Sequence, residues 1–221
     1  MKKEEVRQRI EEIGIVPAVR VTAAHLALFA AKTVSKAGIP VAEITMTIPG
    51  AVEVIAQLAQ ESPGFIVGAG TVLDAATAKR CFDAGARFLS SPGFVPEVVE
   101  FAVKNGVVII PGALTPSEVI AAWKAGADFV KVFPCAPFGG SRYIRALKAP
   151  LPQIQLIAAG GVDQITASGF IQAGASALGI GSELLPAEAL QMGQEKWIHE
   201  LARRFLGIVR NARAQMDVEP V

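Results

Sequence analysis

A lysine interrupts one of the most apolar stretches of the chain. AGADFVKVFPC, residues 125–135, has the β-branched and aromatic character of a buried strand, follows an Ala-Gly turn and stops at a proline, with Lys131 in its middle. A lysine so placed either escapes to solvent at the strand end or is kept, partly desolvated, for its amine chemistry. Desolvation disfavours an ammonium, and the neutral amine that results can attack a carbonyl carbon. Strand side chains alternate, so Phe129, Lys131 and Phe133 share one face while Val130 and Val132 share the other. The same alternation groups Val41, Glu43, Thr45 and Thr47 in VAEITMT. If both sets point into one interior, Glu43 joins the amine as a candidate proton carrier. The competing explanation is a buried ion pair, but such pairs repay their desolvation poorly as stabilisers. That tilts the pair toward chemistry without naming a reaction.

The elements that must position these groups follow a repeating rhythm. Glycines stand just before apolar runs in KAGIPVAEI, SPGFIVGAG, DAGARFLSS, KNGVVIIPG, KAGADFVKVF and QAGASALGI. Most of these glycines, from Gly38 to Gly174, are 20 to 26 residues apart, which suits a strand, a loop and a helix per unit. The one long gap of 48 holds LKAPLPQIQLIAAGG, where prolines precede another apolar run, and GIVPAVRV supplies the first strand. Eight strands are predicted near 14–20, 41–46, 65–69, 87–90, 107–110, 127–133, 154–158 and 176–180. Helical stretches such as AAHLALFAAKTVSKAG and TPSEVIAAWKAG lie between them. This alternation implies parallel strands with right-handed crossovers, an α/β chain folded as a (β/α)₈ TIM barrel. An open sheet is disfavoured because no G-x-G-x-x-G follows the first strand. MKKEEVRQRIEEIG is predicted to form an opening amphipathic helix, EKWIHELARRFLGIVRNA a closing one followed by a polar end expected to fray, and no boundary divides the single domain over 1–221.

Barrel active sites lie at the C-terminal strand ends. The polar residues there are Arg20, Glu43, Thr45, Thr47, Thr71, Ser90, Ser91, Thr115 and Lys131. The other lysines, among them Lys32, Lys36, Lys79 and Lys148, are assigned to solvated helix faces. AAGGV and GIGSELL end the seventh and eighth strands, where barrels build phosphate sites from backbone amides. Gly160, Gly161, Gly181 and Ser182 are the candidates, with simple turns as the alternative. GAGTVL lacks the G-K-[ST] of a P-loop and instead places Thr71, whose hydroxyl could hold a carboxylate or cap a helix.

Composition narrows the field. The 221 residues are 52% hydrophobic and 19% charged with net charge +1, so neither disorder nor a nucleic-acid or anionic-membrane footprint is expected. The first dozen residues are too charged for a secretory signal, and IVPAVRVTAAHLALFAAKTV is too often broken by polar residues to span a membrane. Cys81 and Cys135 form neither a C-x-x-C pair nor a disulfide framework and fit reduced thiols of a cytoplasmic protein. His25 and His199 are the only histidines, both in helical context, so neither a metal site nor a serine triad is supported.

Taken in order, AEIT, GAGTVL, SPG, PGALTPSE, VKVFP, AAGGV and GIGS resemble the 2-keto-3-deoxy-6-phosphogluconate (KDPG) and 4-hydroxy-2-oxoglutarate (KHG) aldolases, lysine-dependent class I aldolases built as small (β/α)₈ barrels. The resemblance covers nearly the whole chain. It implies Lys131 as the Schiff-base lysine, Glu43 as the general acid/base, and Thr71 as the partner of a pyruvate carboxylate. It further implies that Pro92 and Phe133 wall the pocket and that the glycine loops receive a phosphate. Substrates would be a small keto acid and an aldehyde, with no cofactor, and the assembly a homotrimer. One departure stands out. Many members read leucine-arginine after AEIT, whereas here Thr47 stands where that arginine would be, and Arg20 is the candidate replacement. PFGGSRYIRALKAPLP is similar to relatives that cleave the galactonate epimer. Outside the resemblance, another phosphate-binding barrel enzyme, such as an isomerase or epimerase, or a noncatalytic sugar-phosphate sensor fits the same residues.

Overall fold

The structure, a computed structural model, describes residues 1–218. The strands are β1 (Ile15–Val19), β2 (Val41–Thr45), β3 (Ile66–Gly70), β4 (Phe88–Ser90), β5 (Val108–Ile110), β6 (Gly112–Ala113), β7 (Val130–Val132), β8 (Leu156–Ala159) and β9 (Ala175–Ile180). The helices are α1 (Lys3–Ile13), α2 (Ala24–Lys36), α3 (Ala51–Glu61), α4 (Ala75–Asp83), α5 (Pro96–Lys104), α6 (Pro116–Lys124), α7 (Gly140–Lys148), α8 (Ala167–Gln172), α9 (Ala187–Gln191) and α10 (Glu195–Val218). All strand pairings are parallel, in the order β5-β4-β3-β2-β1-β9-β8-β7-β6. The sheet closes because its two edge strands are consecutive pieces of one barrel position. Pro111 separates them: it has no N–H to donate, and its carbonyl accepts from Lys131 N at 2.9 Å. The eight predicted positions are thus present, the fifth in two pieces.

The predicted sixth strand, 127–133, is shorter than expected. Asp128 turns aside, its carboxylate accepting from Ile109 N at 2.9 Å and pairing with Lys3 Nζ at 3.0 Å. This couples the opening helix α1 to the barrel wall. At the other end of the chain, Ile198, Ala202, Phe205, Val209 and Ala212 are buried at helical spacing along α10. Arg213 donates to the carbonyls of Glu11, Glu12 and Ser176 at 2.6–2.9 Å, tying α10 to α1 and β9. The polar end expected to fray continues as helix to Val218, and residues 219–221 lie outside the described residues. Among the described residues no helix is long and apolar enough to cross a membrane.

Two polar assignments acquire local explanations. Thr115 caps α6 in a reciprocal box: its hydroxyl accepts from Glu118 N, and Glu118 Oε2 accepts from Thr115 N at 2.7 Å. Lys148 departs from the solvated face expected of it. Its amine donates to the carbonyls of Pro152 and Ile154 at 2.7 and 3.0 Å, and burial pushes its pKa down. Lys32, Lys36 and Lys79 pair instead with exposed carboxylates of Glu61, Glu195 and Asp83.

The barrel interior is filled by matching bulk on one strand with space on the next. Gly68 and Gly70 of β3 face the side chains of their neighbours. A Cβ at Gly68 would lie 2.3 Å from the Phe88 ring, and one at Gly70 would lie 2.0 Å from Glu43 Oε1. Phe88 is fully buried, so its ring has little room to retreat. Gly68→Ala is therefore expected to cost about 1–3 kcal/mol of stability by overpacking. Urea unfolding with an unchanged m-value would show it, whereas a wild-type midpoint would contradict this packing.

Candidate active site

The chemistry-bearing residues converge on a cavity of about 450 Å³ at the C-terminal strand ends. Its lining keeps the strand period: Ala18 and Arg20 from β1 and its end, Lys131 and Phe133 from β7, Ile157 and Ala159 from β8, Gly179 and Gly181 from β9. Glu43 enters from β2. Lys131 and Phe133 therefore share the inward face, as alternation requires, while Val130 and Val132 are packed in the core. Lys131 and Glu43 are largely removed from solvent, their side chains 12% and 8% exposed, with Nζ 3.8 Å from Oε2. That separation exceeds a hydrogen bond. The amine instead donates to Ser90 Oγ at 2.7 Å and stands 5.8 Å from the centre of the Phe133 ring.

The glycine loops border the same cavity through Gly160, Gly161, Gly181 and Ser182. Gly160 and Gly161 take φ values of 83° and 85°, and a Cβ on Gly161 would lie 2.4 Å from the Ala136 side chain. Glycine is required here twice over, by conformation and by close approach. The segment after Phe133 is fastened to this loop by Cys135 N donating to Ala159 O at 2.8 Å and Ala136 N to Gly160 O at 3.0 Å. Strand β7 and the AAGGV turn are thereby held as one wall.

Three of the sequence candidates stand elsewhere. Strand β2 ends at Thr45, whose hydroxyl bonds Val19 O and meets Thr47 Oγ1, both at 3.0 Å. Beyond it a turn breaks the alternation, so Thr47 leaves the inward set and lines a separate groove of about 720 Å³. Thr71 lines that groove too, because it leaves β3 in a left-handed conformation with φ 59°. Pro92 borders neither space and is exposed. Its carbonyl packs so close to Gly112 that a Cβ there would lie 2.1 Å away.

Three contributors carry no assigned role in the sequence reading. Ser90 was visible as a strand-end hydroxyl, but its contact with Lys131 depends on the barrel bringing β4 to β7. Gly70 gives no chemical signal, only room for the Glu43 carboxylate. Glu183, exposed at the rim within GIGSELL, adds a second carboxylate to the lining. Among the described residues no His, Cys, Asp or Glu cluster could hold a metal ion.

A model of the family "Aldolase: KDPG and KHG aldolase" matches residues 6–201, a span that includes every residue of the cavity discussed above. The chain belongs to this family. A 2-dehydro-3-deoxy-phosphogluconate aldolase of Treponema pallidum (strain Nichols) is 31% identical over 202 residues, 91% of this chain and 96% of the relative. A probable 2-dehydro-3-deoxy-6-phosphogalactonate aldolase of Rhizobium meliloti (strain 1021) is 36% identical over 149 residues, 66% of this chain and 70% of the relative. Among solved structures, the KDPG aldolase of Legionella pneumophila, holding pyruvate captured at low pH as a covalent carbinolamine intermediate, superposes with a TM-score of 0.83. It is 27% identical and the match covers 90% of this chain and 96% of that one.

Cys135, two residues beyond Phe133, is the one thiol beside this wall. Burial pushes it, like Cys81, up to about 11, so neither is a thiolate at neutral pH. The folded protein holds these protons more tightly than the unfolded chain, whose thiols titrate at about 8.5. Their contribution to stability is therefore present below that pH and lost as pH rises toward 11. With a thiol-disulfide reagent at pH 8, the native protein is expected to show no rapidly titrating thiol and the urea-unfolded protein two. Fast modification of Cys135 in the native state would contradict its burial.

Proposed function

We propose that the chain is a Schiff-base aldolase that cleaves a 2-keto-3-deoxy-6-phospho-sugar acid to pyruvate and glyceraldehyde 3-phosphate. The observation that carries this is the Lys131 amine, enclosed in a cavity beside a carboxylate that it does not directly bond. The neutral amine attacks the C2 ketone to give a carbinolamine. Loss of water then forms an iminium that draws electrons from C3. Glu43, acting through water or directly on the C4 hydroxyl, takes the proton released as the C3–C4 bond breaks, and the aldehyde leaves. Protonation of the enamine at C3 and hydrolysis of the iminium release pyruvate and restore the amine.

The amides of Gly160, Gly161, Gly181 and Ser182 receive the phosphate. Arg20, exposed at the cavity mouth, supplies the cation that an anionic substrate needs where Thr47 has replaced one. Phe133 walls the reacting carbons, while Thr71 and Pro92, outside the cavity lining, are given no contact with substrate. By family resemblance the chain works as one domain over 1–221, in the cytoplasm, as a homotrimer. The same pocket would accept 4-hydroxy-2-oxoglutarate, giving pyruvate and glyoxylate. A second reading, cleavage of the 6-phosphogalactonate epimer, is favoured by PFGGSRYIRALKAPLP and by the Rhizobium relative.

Pyruvate release from both epimers, followed with a coupled dehydrogenase, tests the proposal. Lys131→Met is expected to reduce release to assay background with the circular dichroism spectrum unchanged, and Glu43→Gln to lower turnover by about 10²–10⁴-fold. Gly70→Ala, which crowds the Glu43 carboxylate, should cost about 10- to 100-fold by misplacing it. Near-normal turnover in Lys131→Met, or phosphosugar isomerisation with no pyruvate, would overturn the assignment.

A further inference from the structure

The amine of Lys131 has a nearer partner than its carboxylate. We infer that Ser90 is a positioning residue for this reaction, holding the Lys131 nitrogen off Glu43 and in a fixed direction through the covalent steps. The inference rests on the Schiff-base reading of Lys131. Ser90 closes β4 and is fully buried, a hydroxyl at the end of the otherwise apolar Phe88-Leu89-Ser90. The split strand of β5 and β6 lies between β4 and β7, yet Ser90 Oγ and Lys131 Nζ are 2.7 Å apart, against 3.8 Å to Glu43 Oε2. A buried hydroxyl needs a partner, and the lysine supplies it.

The identity of that partner matters for geometry. The carboxylate attracts the amine as a charge from 3.8 Å, but only the hydroxyl is within hydrogen-bond reach, and it has one donor and two acceptor sites. Ser90 Oγ can thus accept an N–H from the ammonium and from the free amine. When the nitrogen attacks C2, the new C–N bond forms and the carbonyl π pair goes to oxygen. A proton passes from nitrogen to that oxygen, and the hydroxyl of the resulting carbinolamine leaves as water with a second proton delivered by Glu43 or solvent. The iminium keeps one N–H. Donated to Ser90 Oγ, that bond sets the plane of the C=N unit relative to the Glu43 carboxylate, which stays free to exchange protons with the substrate.

Ser90→Ala removes the acceptor and leaves a small void. Ser90→Cys fills the void with a weak acceptor and so separates hydrogen bonding from packing. Both variants are expected to lower kcat for keto-acid cleavage about tenfold, the scale of a misdirected reacting group, with KM within twofold of wild type. Deuterium exchange at C3 of pyruvate, which reports the enamine without any aldehyde, should slow by the same factor. A kcat within twofold of wild type in Ser90→Ala, or full recovery in Ser90→Cys, would overturn the positioning role. Wild-type protein that neither cleaves the keto acids nor exchanges C3 of pyruvate would overturn the Schiff-base reading on which it rests.

Discussion

Holding one amine inside a closed barrel is the constraint around which the rest of this structure is arranged. An inward lysine must be enclosed enough to act as a nucleophile, yet a buried cation needs polar partners. The solution divides the task. A hydroxyl from β4 takes the short hydrogen bond, and a carboxylate from β2 stays within 4 Å without pairing tightly. Neither would reach the amine unless the barrel closed. Closure in turn depends on one strand position that Pro111 splits between the two edges of the sheet. The glycines of β3 are a further consequence, since the Phe88 ring and the Glu43 carboxylate fill the interior space that β3 vacates.

The repeat of strand and helix was legible because punctuation and hydrophobic period are local. Seven strands fall close to their predicted spans, and the approach of Lys131 to Glu43 follows from side-chain alternation once both strands face one barrel interior. What failed to read through was set by breaks in that alternation. Alternation does not carry from Thr45 to Thr47 across the strand end, and the strand end that places Thr71 gives no direction for it; a turn and a left-handed residue direct both into another groove. The truncation of β7 was likewise invisible, because Asp128 is diverted by Lys3, a residue far away in sequence. Ser90 shows the same limit from the other side. Its type was visible, but its partner depends on which strands meet across the interior.

The groove shared by Thr47 and Thr71 also bears on how this chain differs within its family. Where the family resemblance implies an arginine after AEIT, this chain has Thr47, which lines the second groove rather than the cavity of the amine. The cations left in the cavity lining are Lys131 and Arg20, balanced by Glu43 and Glu183. On the proposed reading, recognition of an anionic substrate would fall on Arg20 and on backbone amides, groups that bind a phosphate or a carboxylate without reading the configuration at C4.

Reductive trapping reports whether Lys131 acts as a nucleophile. The protein would be incubated with pyruvate and sodium borohydride, weighed intact by mass spectrometry, digested and mapped. One reduced pyruvate per chain is expected, on the peptide containing Lys131, and none in Lys131→Met. An adduct on a different lysine, or no adduct from folded protein, would contradict it and leave Lys131 as a charge that merely neutralises its surroundings.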